Sequence, residues 1–150
     1  MPREKIKMPT PEANGFVKTL NNMGFMTSVL DPYSQALVDF APQAPGPFLE
    51  IGAAYGVASL AALEKGCEVI ANDMDERHLE ILWDRAPKED QKRLTLKAGA
   101  FPDAIDLKPG SVGTILVCRV LHFFTGPMIE KSLDRMFDWL APGGKVAIIA

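Results

Sequence analysis

Two apolar runs that each stop at a carboxylate, with a glycine-bearing turn between them, limit what this chain can fold into more than any other feature. The first run is Phe48-Leu49-Glu50-Ile51, followed by Gly52-Ala53-Ala54-Tyr55-Gly56 and a helix-forming stretch from Val57. The second is Val69-Ile70-Ala71-Asn72-Asp73. A buried strand, a tight turn into a helix and a second strand beside the first make a βαβ unit. Its glycines let the backbone approach a ligand, and an acid at the tip of the second strand meets a ribose. Glu50 is the unusual member. It stands where a dinucleotide would place its pyrophosphate, and a carboxylate there repels phosphate and favours a cation.

The glycine spacing argues the same way. A dinucleotide fingerprint asks for G-x-G-x-x-G, but Ala54 and Val57 stand two and five positions after Gly52, and the next glycine is Gly56. A wider loop and a less phosphate-rich ligand follow. S-adenosyl-L-methionine fits, with an adenosine, no phosphate and a cationic methionyl end. The segment resembles motif I of the class I S-adenosylmethionine-dependent methyltransferases, acid-x-Gly-x-Gly-x-Gly, with Glu50, Gly52 and Gly56 in place and Ala54 at the middle glycine. Leu140-Ala141-Pro142-Gly143-Gly144-Lys145 is similar to the L-x-P-G-G turn before the fifth strand of many small-molecule members.

Around these landmarks the chain alternates between strand and helix. Strands are expected at 48–51, 68–72, 94–98, 114–118 and from 145, with helices at 57–65 and 76–85 and another from Thr125-Gly126-Pro127. This pattern implies right-handed crossovers and a doubly wound parallel α/β sheet; the resemblance implies strand order 3-2-1-4-5. Asp75 reads as a helix N-cap, with Leu79, Leu82 and Trp83 on one side of its helix. Ile129, Leu133, Met136, Phe137 and Leu140 suggest the buried face of the last helix. Residues 1–46 read as an N-terminal helical cover and linker, and 47–150 as the α/β core. Within the cover, Phe16, Val17 and Leu20 have helical spacing although Gly15 and Gly24 oppose it, and Asp31-Pro32 starts a firmer helix. The sequence stops at Ala150 inside the fifth strand, where the family's sheet continues. A fragment, or a partner or second copy covering that strand edge, is expected.

Bulk properties set the outer limits. At 150 residues with 47% hydrophobic and 23% charged side chains, the chain suits one globular domain. It contains neither an apolar run of membrane-spanning length nor a secretory h-region. Two widely separated cysteines, Cys67 and Cys118, suggest reduced thiols and a cytoplasmic address. A net charge of −3 argues against a broad nucleic-acid surface. Nothing in the spacing asks for a metal.

The resemblance also implies site residues. Asp73 would accept both ribose hydroxyls, and Glu50 would take the methionyl ammonium directly or through water. The loop Gly52, Ala53, Ala54, Tyr55 and Gly56 would pass close to the cofactor. Met74 would cover one adenine face, with Gly99, Ala100 and Phe101 as the opposite wall. Ala100 stands where many relatives carry an acid, leaving the adenine amino group to Asp103 or a backbone carbonyl. The Cys118 carbonyl would meet the ammonium, and Arg119 the methionyl carboxylate or an acidic acceptor. His122 and Arg119 are the candidates for acceptor chemistry and Tyr33 for a lid. A general base is dispensable because the cofactor is already activated. No Asn/Asp-Pro-Pro-Tyr motif follows the fourth strand, which argues against methylation of an amide or exocyclic base nitrogen by that route.

Plainer readings stand beside these. Asp73 could only start a turn, Glu50 pair with a lysine, Arg119 sit in a structural ion pair, and Phe101 belong to the core. Tyr55 could face ligand or solvent, and His78 reads as solvated. The expected activity is methyl transfer to a small-molecule acceptor, leaving S-adenosyl-L-homocysteine. The alternatives are a non-catalytic module binding either form of the cofactor, an NAD-dependent oxidoreductase, and an interaction domain using the fifth-strand edge.

Overall fold

A computed structural model describes residues 4–150. Its centre is a five-stranded parallel sheet of β3 (Phe48–Ile51), β4 (Val69–Asp73), β5 (Leu94–Ala98), β6 (Val112–Cys118) and β7 (Leu140–Ile149), in spatial order β5-β4-β3-β6-β7. Numbered within the sheet alone, this is the expected 3-2-1-4-5. The order reverses between β3 and β6, whose register pairs Glu50 with Leu116. Ligands of open α/β sheets bind at such a reversal, beyond the carboxyl ends of the strands. Helices α1 (Pro32–Phe40), α2 (Val57–Glu64), α3 (Glu76–Arg85) and α4 (Gly126–Trp139) flank the sheet. Because both faces are covered, the central strands are apolar nearly throughout, and all four residues of β3 are buried.

Local chemistry explains the helix starts. Asp31 accepts from the amides of Tyr33 and Ser34 ahead of Pro32, Asp75 accepts from Arg77 N, and Thr125 from Met128 N. Gly56 starts α2 at φ +82°, and a Cβ there would lie 2.0 Å from Leu82 Cδ1 of α3. Its absent side chain lets α3 pack against the loop.

Four expectations need correction. The stretch around 14–26 is a hairpin, not a helix: β1 (Phe16–Lys18) pairs antiparallel with β2 (Phe25–Thr27). Asn14 Oδ1 accepts from Phe16 N, Gly15 takes φ +82°, and Thr19 Oγ1 bonds Gly24 across the loop, so local turn chemistry overrides the helical spacing. On α4, Leu133 and Phe137 are exposed, and the buried positions are Ser132, Met136 and Trp139. Ser132 can be buried because its Oγ donates to the Met128 carbonyl. On α3, His78 and Ile81 are buried and Trp83 is the half-exposed one. Ala141–Gly144 does not separate α4 from the last strand but lies within β7, as an irregularity that puts Leu140 opposite Val112 and Lys145 opposite Thr114.

The hairpin has its own small apolar cluster. Val17 packs with Tyr55 and Ile81, joined by Leu20 and Met26. The hairpin is thereby seated beside the carboxyl ends of the strands.

Two loop variants test this packing. Gly56→Ala is expected to cost on the order of 3 kcal/mol in chemical denaturation, from a left-handed backbone and the clash with Leu82. Ala54, which holds φ +46° as a non-glycine residue, should behave oppositely. Ala54→Gly is expected to be neutral or stabilising by up to about 1 kcal/mol, as relief of strain offsets the extra freedom of the unfolded chain. A Gly56→Ala protein as stable as its parent would contradict the close α3 contact.

Candidate functional site

At the sheet reversal lies a cavity of about 480 Å³, a size suited to a small organic ligand. Its floor is the ends of β3, β4 and β6, and its roof is the β1–β2 hairpin with the start of α1. Most candidate residues meet here: Glu50, Gly52, Ala53, Ala54, Asp73, Met74, Gly99, Ala100, Phe101, Cys118, Arg119 and His122 all line it. Met74 stands exposed at the rim, and His122 is exposed with its ring 4.0 Å from that of Phe123.

Other candidates lie elsewhere. Tyr55 faces neither ligand nor solvent. It is fully buried behind the loop, with its hydroxyl donating to the Lys18 carbonyl at 2.6 Å. Gly56 lies behind the wall against Leu82. Tyr33 is 74% exposed and does not line the cavity, so it is no lid in this conformation. Asp103 pairs with Lys131 at 2.5 Å, also away from the lining. Phe101 is buried against Phe124 and Trp139, so it belongs to the core while one edge reaches the cavity.

Glu50 is buried, and Ser59 supplies both of its hydrogen bonds, from the amide at 3.0 Å and from Oγ at 2.6 Å, to the same oxygen, Oε1. The expected plain alternative, a lysine partner, is absent among the described residues. Burial first, and the negative field of Asp73 in addition, push the Glu50 carboxyl up to about 7, although the two Ser59 bonds pull the other way. A carboxylate held in this state gains from a cation beside it.

Asp73 is the most heavily engaged group. Its Oδ2 accepts from Ala54 N at 2.8 Å, and its Oδ1 from Asp75 N at 2.9 Å and the His78 ring at 3.0 Å. Oδ1 therefore has little capacity left, and Oδ2 keeps one lone pair for a ligand hydroxyl. Asn72 Nδ2 bridges the carbonyls of Lys97 and Gly99, fixing the β4–β5 edge of the cavity.

On the opposite side, Arg119 holds φ +55°, an uncommon conformation for a bulky residue, and its amide donates to the Ile149 carbonyl. It makes no ion pair among the described residues. Among the described residues it is the single Lys or Arg in the lining, against the three acids Asp31, Glu50 and Asp73. Burial pushes the Cys118 thiol up, which keeps it protonated and a poor nucleophile. The free acceptor positions, one on Asp73 Oδ2 and those on Glu50 Oε2, suit a ligand with a cationic end and one hydroxyl at Asp73, not the two hydroxyls expected there from the sequence.

The sequence did not mark as cavity residues Asp31, the cap of α1, Ser34, which donates to it, or His78. Asp31 was legible only as a cap. His78 carries no sequence signal of burial, because its partners are 5 and 58 residues away.

Comparison with known proteins places this geometry among relatives. A family model described as a methyltransferase domain matches residues 48–144. The chain is 32% identical over 89 residues to ribosomal RNA small subunit methyltransferase A of Thermotoga maritima, covering 59% of this chain and 30% of that protein. It spans about a third of the length of the curated relatives it matches. Among solved structures, glycopeptide N-methyltransferase MtfA complexed with (S)-adenosyl-L-homocysteine superposes with a TM-score of 0.59 at 25% identity, over 75% of this chain and 46% of that one. Geranyl diphosphate methyltransferase in complex with GPP and sinefungin gives 0.64 at 18% identity, over 75% and 41%, a likeness of fold. No helix among the described residues is long and apolar enough to cross a membrane.

The Glu50 environment predicts a pH dependence of stability. Its folded value, about 7, lies above the ordinary 4.5, so the folded state holds a proton that the unfolded chain has released. The stabilisation is full below pH 4.5 and lost as pH rises through 7, and amounts to about 3 kcal/mol at about 1.4 kcal/mol per pH unit. Denaturation at pH 5.5 and 8 should show wild type weakening more than Glu50→Gln across that interval. Equal slopes would mean that Glu50 is not buried uncharged.

Proposed function

This chain belongs to the methyltransferase-domain family, and from that premise we propose that it binds S-adenosylmethionine in the cavity at the sheet reversal and transfers its methyl group to a small acceptor. The observation carrying this reading is the buried Glu50 carboxylate, held on one oxygen by Ser59 and lining the cavity with the other unbonded to any described residue. A dinucleotide would bring phosphate to this wall, so the NAD reading is disfavoured. Asp73 Oδ2 would hold a ribose hydroxyl, and Met74 and the Gly99–Ala100 backbone would flank the adenine.

When bound, the cofactor supplies a methyl group on a sulfonium centre already activated for transfer. The chain's own contribution is positioning and exclusion of water. Glu50 and Asp31 favour the cationic end, while Ile51, Leu116 and Val120 keep their side of the cavity apolar. His122 and Arg119 are both exposed at the lining and would face the acceptor.

The rim supports an acceptor with an apolar body. Met23, Phe25, Phe123 and Met128 are large apolar side chains, all partly exposed, and all border the opening. RNA is the second reading, favoured by the ribosomal RNA methyltransferase relative. Against it stand Arg119 as the single Lys or Arg that the described residues bring to the cavity, and Cys118-Arg119-Val120-Leu121 where the base-nitrogen motif would be.

Calorimetric titration with S-adenosylhomocysteine tests the cofactor. Saturable binding is expected in wild type, weakened at least about tenfold in Asp73→Ala, with no response to NAD. Binding should also tighten from pH 6 to 8 as Glu50 ionises, and Glu50→Gln should flatten that trend. A folded protein that ignores S-adenosylhomocysteine would remove the cofactor assignment. For the acceptor, label from methyl-tritiated S-adenosylmethionine is expected in the organic-extractable fraction of a cell extract; label in RNA would favour the second reading.

A further inference from the structure

His78 is buried to 1% exposure and bonded at both ring nitrogens. Nε2 lies 2.9 Å from the backbone amide of Leu20, in the loop of the hairpin. An amide can only donate, so Nε2 must be the unprotonated nitrogen and Nδ1 must carry the hydrogen. Nδ1 therefore donates to Asp73 Oδ1 at 3.0 Å. The contact is a hydrogen bond from a neutral imidazole, not an ion pair. One ring thus joins the hairpin to the carboxylate that faces the cavity.

Neighbouring contacts repeat the connection. Tyr55 packs edge-on to His78, with ring centroids 5.2 Å apart, and its hydroxyl donates to Lys18 of β1. Arg77 reaches the Leu20 carbonyl at 3.3 Å. Thr19, Asn21, Met23 and Gly24, in the loop that His78 holds, all line the cavity. The hairpin is the roof of the site, and its fastenings are the β3–α2 loop and the first turn of α3.

We propose that His78 is a positioning residue that ties closure of the N-terminal hairpin to the orientation of Asp73, so that a ligand on Asp73 and a closed hairpin stabilise one another. The inference rests on the cofactor reading given above. Its physical basis is reciprocity: if a bound ligand favours the Asp73 orientation that accepts from His78, it favours the ring position that accepts from Leu20, and the reverse holds equally. The donor bond aligns the carboxylate so that Oδ2 faces the cavity. The acceptor bond satisfies an amide that would otherwise be stranded at the roof.

The Leu20 amide is itself the reporter. Hydrogen exchange across residues 19–24 should slow when wild type binds S-adenosylhomocysteine. His78→Phe keeps an aromatic ring beside Tyr55 but removes both bonds. It should exchange faster in this loop without ligand, bind S-adenosylhomocysteine about tenfold more weakly, and lose the ligand-induced slowing. His78→Asn retains a donor for Asp73 but is too short to reach Leu20. It should bind within a few-fold of wild type while its loop exchanges fast and no longer responds, a separation that general loss of packing would not produce. In wild type, imidazole nitrogen chemical shifts should show the Nδ1–H tautomer. The opposite tautomer, or variants whose loop exchange and ligand response match wild type, would overturn the proposal. Failure of wild type to bind S-adenosylhomocysteine would instead remove the cofactor reading, while ligand-free exchange and tautomer would still decide whether His78 holds the hairpin.

Discussion

Asp73 sits where the loop after β3, the first turn of α3 and the N-terminal hairpin converge, and its two oxygens hold all three. Oδ2 fixes the Ala54 amide, Oδ1 takes the Asp75 amide, and through His78 the same oxygen reaches Leu20. A carboxylate suits this place because it offers several acceptor positions in one plane and no donor. Ala54 keeps its left-handed backbone within this grip. Without Asp73, the loop, the helix start and the roof would each lose a fixed point, and the cavity between them would lose its shape.

Glu50 is a second constraint, of opposite character. Asp73 is satisfied by donors, whereas Glu50 is buried with only Ser59 to answer it. Burial is costly for a charged carboxyl, and its raised proton affinity expresses that cost. The site therefore carries a preformed demand for positive charge on its β3 side. The rim beside His122 is apolar instead, with Phe123 and Met128 exposed, and the proposed acceptor would meet it there. This asymmetry within one cavity fits a reaction between a charged donor and a largely apolar acceptor.

The parallel core was readable from residue order because its strands are fully buried and each βα transition carries its own local signal. Phe48–Ile51 and Val112–Cys118 are apolar runs with no alternating polar face, Asp75 and Thr125 announce helix starts, and Gly56 marks the turn. The N-terminal hairpin was not readable in that way. Its strands are three residues long, with one side chain fully buried between them, too short for a period of two to outweigh an accidental helical spacing. Its placement comes from Tyr55, Ile81 and His78, all distant in sequence. The face of α4 failed for a related reason: hydrophobicity counted Leu133 and Phe137 as core, whereas the sheet covers Ser132, Met136 and Trp139.

Residue order alone specifies the βαβ alternation and the acids at the ends of β3 and β4, because these follow from local propensity and residue type. Which residues face the cavity, which stand behind it and what Glu50 lacks as a partner depend on how the elements pack. Tyr55 and Tyr33 were equal candidates as letters, yet one is locked behind the loop and the other lies in solvent. His78, read from the sequence as solvated, is the buried link between roof and floor. Burial and hydrogen bonding of this kind are set by elements that meet only when the chain closes, and no short stretch of sequence holds His78 together with both Asp73 and Leu20.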